Sequence, residues 1–292
     1  ATARTEYYEY PTALPTVERS SIKKDLYRRD FTINTLAVRL NAVRFGELID
    51  FYGGQRDLGE KTIRVLHSLS FVEDPTRVFR AVRFEQRFGF RLGKETLALI
   101  KGTVKMEMFH RLSGARLLEE LILLFSEDEP RKIIHRLGEL DLLRFIHSSL
   151  KPTARLDALL QSVEQVLSWY KLASLSWPKS PPARPISPPT GIAVWIVYMM
   201  ALMEVVPSKA VSETGKRLAL PARVAKKIRA GHGTASRLAR RLARRPVPRP
   251  AETYRALCGL SDETLLLLMA AGKSEVVKKQ VSAYLTIYQH VK

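Results

Sequence analysis

The sequence predicts a mainly α chain that opens with a small α/β part, on three observations. Beyond residue 70 apolar residues recur at helical spacing almost without a break. Before it, short alternating segments are punctuated by turn residues. A proline-rich stretch, residues 177–189, then divides the helical region in two.

Residues 1–27 read as short β segments and loops: Ala1–Glu6 as a strand, then Pro11, Pro15 and the polar run Val17–Ile22 as a flexible connection. Asp25–Asn34 sets two arginines and a carboxylate ahead of a helical start with Ile33, Leu36 and Ala37 facing inward, Asp30 being favourable near the positive end of a helix dipole. Val43–Asp50 alternates like a strand and ends in the turn Gly53-Gly54. Asp57-Leu58 and Lys61–Leu66 give another short strand or turn. From Asp74 the signals sharpen: Asp74 suits an N-cap, Pro75 the first helical position and Gly89 the residue past the last turn, which predicts a helix over 75–88. Apolar stripes in Leu97–Ile100, Leu117–Phe125, Ile133–Leu143 and Leu156–Leu172 predict further helices. Residues 177–189 predict an extended, exposed connector. Ile192–Met203 is an apolar run of twelve, short of the roughly 20 residues that span a bilayer, and reads as a buried core helix. Val224–Ile228 and Leu238–Ala243 carry basic helices, and two more amphipathic helices close the chain between Ala251 and Val291.

Composition narrows the function. The chain has 292 residues, enough for about two domains. A single cysteine, Cys258, excludes a disulfide framework and a Cys-based zinc site and fits a reducing, cytoplasmic compartment. Lys and Arg number 48 against 29 Asp and Glu, a net charge of +19, which points to a polyanionic partner. Thr214–Ala251 carries twelve Lys or Arg and no acid. Gly231, Gly233, Pro246 and Pro248 break that segment and large apolar residues are few, which favours nucleic acid over a membrane surface. Its candidate RNA contacts are Arg223, Lys226, Lys227, Arg237, Arg240, Arg241, Arg244 and Arg245.

The helix opening at Asp74 carries the most specific chemistry. Asp74, Arg77, Arg80 and Arg83 recur every third residue, so the charged ribbon drifts roughly 60° per step and only neighbours share a face. Asp74 and Arg77 are such neighbours, an acceptor beside a planar fork of donors. Adenine and cytosine pair an exocyclic amino donor with a ring-nitrogen acceptor, and guanine and uracil reverse that order. One Asp with one Arg could thus accept A and C and refuse G and U. Spacing alone also permits a plain cap, with the arginines a solvated face pairing Glu73 and Glu85.

Four motifs then occur in order: Arg28-Arg29-Asp30-Phe31-Thr32-Ile33-Asn34; Asp50-Phe51-Tyr52-Gly53-Gly54 with Asp57-Leu58 and Ile63-Arg64; Glu73-Asp74-Pro75-Thr76-Arg77 with Arg80 to Phe84; and Leu112-Ser113-Gly114-Ala115-Arg116 to Leu121. Together, over about residues 1–145, they resemble the class II tRNA nucleotidyltransferase and bacterial poly(A) polymerase family. The resemblance implies a remnant of a nucleotidyltransferase palm over 1–68, a helical neck with base recognition over 69–145, and a helical body and tail over 146–292. It implies that Asp74 and Arg77 read the base of CTP or ATP and that Arg80 and Arg83 support the nucleotide and its phosphates. Arg29, Asp30 and Asn34 would hold the ribose, and the second and fourth motifs would be supporting elements. The implied activity is template-independent addition of C and A, or A only, to tRNA 3′ ends. Poly(A) synthesis and a non-catalytic helical RNA-binding protein are the alternatives, and the oligomeric state is not legible.

Nucleotidyl transfer needs divalent metal, here Mg²⁺, held by carboxylates. The family's Asp-x-Asp pair is absent from the sequence, and Glu139-Leu140-Asp141 lies in an amphipathic helix after the motifs. No catalytic or metal residue is therefore expected in this chain, which alone would be inactive, with the Mg²⁺ ligands outside it. It reads as a fragment of a longer enzyme cut inside the head or as a degenerate relative, and the strand-like start without Met favours the fragment.

Overall fold

A computed structural model describes residues 3–7, 9, 16–175, 192–244, 246–272 and 274–288. It is mainly α, with strands confined, among the described residues, to three two-stranded sheets. The chain divides into two compact units, Ala1–Phe145 and Ile146–Lys292. The proline-rich stretch 177–189 lies outside the described residues.

In the first unit β1 (Arg4–Tyr7) pairs antiparallel with β2 (Thr16–Arg19), Thr5 opposite Glu18. The run expected as a flexible connection is thus β2 followed by α1 (Ile22–Tyr27), whose N-cap Ser21 accepts a hydrogen bond from Lys24 N. All of β2 is exposed, so no apolar alternation marked it. The helical start expected after Asp30 is a single 3-10 turn, Thr32–Asn34. Thr35 Oγ1 donates to Thr32 O at 2.7 Å, the kind of local bond that competes with helix propagation. The chain then extends into β3 (Ala37–Val38), antiparallel to β4 (Leu48–Ile49). The Gly-Gly turn opens α2 (Gly54–Gly59), and β5 (Thr62–Ile63) pairs parallel with β6 (Arg91–Leu92).

Helices α3 (Ser70–Glu73), α4 (Thr76–Phe88), α5 (Lys94–Lys105), α6 (Gly114–Leu124) and α7 (Pro130–Glu139) complete this unit. The ends of α4 fall almost where the local chemistry put them, Pro75 as N-cap and Gly89 at φ 62° past the last turn. Val78, Phe79, Ala81 and Val82 are fully buried, and Phe79 meets Phe109 edge-on with ring centroids 5.5 Å apart. Burying each large apolar side chain contributes roughly 1.5–3 kcal/mol. Arg136 of α7 grips the buried carboxylate of Glu85 with Nε and Nη2 at 2.7 and 2.9 Å, fixing α7 to the back of α4.

The second unit holds α8 (Ala154–Leu175), α9 (Val194–Glu204), α10 (Ser208–Arg217), α11 (Ala222–Gly231) and α12 (Thr234–Leu242). The apolar run Ile192–Met203 becomes α9, buried from Ile196 onward, and no described helix is long and apolar enough to cross a membrane. Glu204, its last residue, accepts from Gly233 N at 3.0 Å and Ser236 Oγ at 2.6 Å, which sets a buried carboxylate at the N-terminus of α12. Where two closing helices were expected, α13 (Pro250–Leu257), α14 (Asp262–Ala271) and α15 (Glu275–Thr286) form. Breaks at Gly259, with φ 86°, and at Gly272 make the difference.

Candidate nucleotide site

Local chemistry builds the site in pairs of elements. Asp74, between α3 and α4, accepts from Thr76 N and Thr76 Oγ1 at 3.0 and 2.6 Å, so it caps α4 as a carboxylate before a first turn should. The same oxygen, Oδ1, takes Arg116 Nη2 of α6 at 2.8 Å. Its other oxygen, Oδ2, makes no hydrogen bond among the described residues and remains an acceptor. Arg77, one turn on and 6% exposed, donates Nη1 to Ser70 Oγ and Nη2 to the Arg28 carbonyl, both at 2.8 Å. Two of its five N–H groups are committed and the fork stays fixed in direction.

The 3-10 turn supplies the facing wall. Asp30, 5% exposed, accepts from Phe31 N at 2.9 Å and Asn34 Nδ2 at 2.8 Å through Oδ1, and from Arg80 Nε and Nη2 at 2.7 and 2.6 Å through Oδ2. Burial pulls the Arg80 guanidinium down, and Asp30 more than offsets this and holds it above its ordinary value. Arg29 donates Nη1 to Asn34 O at 3.3 Å.

The Gly-Gly segment braces this turn from behind. Asp57, fully buried, accepts from Thr32 Oγ1 at 2.6 Å and from Arg64 Nε at 3.1 Å. Asp50 accepts from Gly54 N at 2.8 Å and Gln55 N at 3.0 Å. Burial pushes its carboxyl up, but these amides win and leave it below the usual carboxylate range. A Cβ on Gly54 would sit 2.5 Å from the Thr32 carbonyl oxygen, so only glycine allows the two segments to approach.

The result is a cleft of about 510 Å³ lined by Glu6, Arg28, Arg29, Asp30, Asn34, Asp74, Arg77 and Arg80. Six of the seven residues singled out for the nucleotide meet there. Arg83 does not: it is buried on the next step of the drifting ribbon, its guanidinium over the Phe84 ring at 4.9 Å and 3.6 Å from Glu127. Below the cleft Glu120 of α6 is buried with Oε2 unpartnered among the described residues. Burial lifts its carboxyl to about 6, against the pull of Arg80 and Arg83.

Glu6 and Arg28 were missed as cleft residues. They join through a 2.6 Å ion pair across 22 positions that no local pattern reveals. Arg28 stood in the first motif without a role. Arg116 was read as support, and its bond to Asp74 gives that support an atom.

In the basic segment Arg223, Lys226, Arg237, Arg240, Arg241 and Arg244 are exposed on α11, α12 and just beyond it. Lys227 is pinned instead by the buried carboxylate of Glu263 at 2.7 Å. Arg245 lies outside the described residues. No three His, Cys, Asp or Glu side chains among the described residues gather where they could hold a metal ion.

Comparison with known proteins agrees with this architecture. The family described as "Poly A polymerase head domain" matches residues 1–64, and "Probable RNA and SrmB-binding site of polymerase A" matches residues 89–153. The A-adding tRNA nucleotidyltransferase of Geobacter sulfurreducens is 48% identical over 290 residues, covering 98% of this chain and 32% of that protein. A CCA-adding enzyme in its apo form II superposes with a TM-score of 0.83 at 34% identity, covering 99% of this chain and 64% of the other. A tRNA-processing enzyme complex superposes at 0.78 with 30% identity, covering 94% and 70%. Similar solved structures also include CCA-adding enzymes with tRNA, with ATP and with CTP. The fold is that of the nucleotidyltransferase class. The chain belongs to the class II tRNA nucleotidyltransferase and bacterial poly(A) polymerase family, and it spans about a third of the length of the Geobacter relative.

Proposed function

We propose that this chain supplies base selection and RNA grip to a template-independent enzyme that adds A, or C and A, to tRNA 3′ ends from ATP and CTP. The observation that carries this reading is the shared cleft of Asp74 and Arg77. Asp74 Oδ2 accepts from the exocyclic amino group of adenine or cytosine, and Arg77 donates to the neighbouring ring nitrogen. A keto base would set two acceptors against each other there and leave the guanidinium facing a donor, a mismatch costing about 1–3 kcal/mol per unsatisfied group. Arg29, Asp30 and Asn34 meet the ribose, with Arg80 toward the phosphates. The match to an A-adding relative favours ATP as the main substrate.

The exposed arginines of α12 and the basic face of α11 take the RNA backbone, and the cytoplasm is the compartment proposed. The sequence holds no Asp-x-Asp pair, and no three His, Cys, Asp or Glu side chains gather to hold a metal ion among the described residues. Mg²⁺ ligands are assigned outside this chain, and the chain by itself binds nucleotide and RNA without turnover. In the complete enzyme Asp74→Ala and Arg77→Ala should abolish discrimination between ATP and GTP in a labelled-nucleotide incorporation assay. Unchanged selectivity would refute the assignment.

A further inference from the structure

Four rings form a row on the first unit, adjoining the cleft. Phe51 and Tyr52 have centroids 6.3 Å apart, Tyr52 and Tyr27 5.7 Å, and Tyr27 and His67 5.2 Å with planes 29° apart. Lys23 Nζ sits 5.9 Å from the Phe51 centroid. Tyr27 and Phe51 are each 45% exposed, so the row offers ring surface to solvent. It is also held: Tyr52 Oη donates to the Lys23 carbonyl at 2.8 Å, and His67 Nε2 is 3.6 Å from Glu73. Burial and the nearby Arg77 lower the His67 imidazole below its ordinary value, against Glu73, so a neutral ring lies against Tyr27. Tyr27 directly precedes Arg28, and His67 lies within the electrostatic reach of Arg77; both arginines line the cleft.

Exposed aromatic faces beside a cation are how proteins hold unpaired nucleotides, because every base has a π-face and every linkage a phosphate. We propose that this row is a stacking subsite for the single-stranded 3′ end of the RNA, with Tyr27 taking a base face and Lys23 a backbone phosphate. This deepens the reading of the neighbouring cleft as a nucleotide site and rests on it. The extended 3′ end would then lie where the next nucleotide is selected, without a templating strand.

The test uses the 292-residue chain and a stem-loop RNA with a three-nucleotide 3′ tail ending in 4-thiouridine. Irradiation should crosslink the terminal nucleotide to the peptides carrying Tyr27, Tyr52 or His67; crosslinks confined to other peptides overturn the proposal. In fluorescence anisotropy Tyr27→Ala should weaken the tailed RNA roughly tenfold, spare a tailless stem-loop, and be rescued by Tyr27→Phe. Equal loss for both RNAs overturns it. Should Tyr27→Ala fail to fold by circular dichroism, the crosslink on the unaltered chain decides. ATP binding is read separately: failure of ATP to compete with a labelled ATP analogue sinks the nucleotide reading, whereas ATP binding without a crosslink sinks only the stacking subsite.

Discussion

Replacing Glu120 by glutamine should remove a pH dependence from the stability of the first unit. Burial holds this carboxyl at about 6 rather than at its ordinary 4.5, so the folded protein binds a proton that the unfolded chain has released between those values. Stability therefore falls as pH rises through that window, and above about 6 the loss is complete. At 1.36 kcal/mol per pH unit the span amounts to about 2 kcal/mol. Glutamine cannot ionise, so the stability gap between variant and parent should widen by about that much from pH 4 to pH 7, with the variant ahead at neutral pH. The tryptophans Trp169, Trp177 and Trp195 all lie beyond Phe145, so their fluorescence does not report on this unit. Hydrogen exchange of peptides from α4 and α6 across a urea series does. A gap that stays constant with pH would show that Glu120 is not titrating in the folded state and would refute the reasoning.

Two further outcomes follow from the geometry. Gly54→Ala should destabilise the first unit by about 1–3 kcal/mol in urea melts, because the new Cβ meets the Thr32 carbonyl at 2.5 Å, and it should weaken ATP binding by displacing Asp30 and Asn34; unchanged melting and affinity would mean that the two segments move apart freely. Charge reversal at Arg240, Arg241 and Arg244 should lower RNA affinity and reduce the log–log salt slope by roughly 2–3 while ATP binding stays intact; loss of both together would assign the region a structural role.

How far the sequence could be read depended on how local the deciding interaction was. The ends of α4 were legible because Asp74, Pro75 and Gly89 act within one turn. The turning away of Arg83 follows from helical pitch, two steps of three residues beyond Arg77 on α4, whereas Asp74 reaches the cleft from an extended residue ahead of the helix. β2 was not legible, since its four residues are all exposed and paired only through backbone. At Thr32 the local pattern points to a helix and the structure has a single 3-10 turn, because the bonds that stop it come from Thr35 and from Asp57, 25 positions away from Thr32. Lys227 looked like one more cation until Glu263, 36 residues on, claimed it. Glu6 and Arg28 likewise needed the pairing of β1 against α1 before they could be placed in the cleft.

The carboxylate of Glu204 gives α12 two unlike ends. One is anchored in the interior by a buried anion, and the other carries exposed guanidiniums where the helix's own electric field is negative. Counterions reach the outer end and are shut out from the inner one. A rise in ionic strength would thus strip the proposed RNA from this helix while the helix keeps its fold, so that release would be a matter of ion exchange rather than of unravelling.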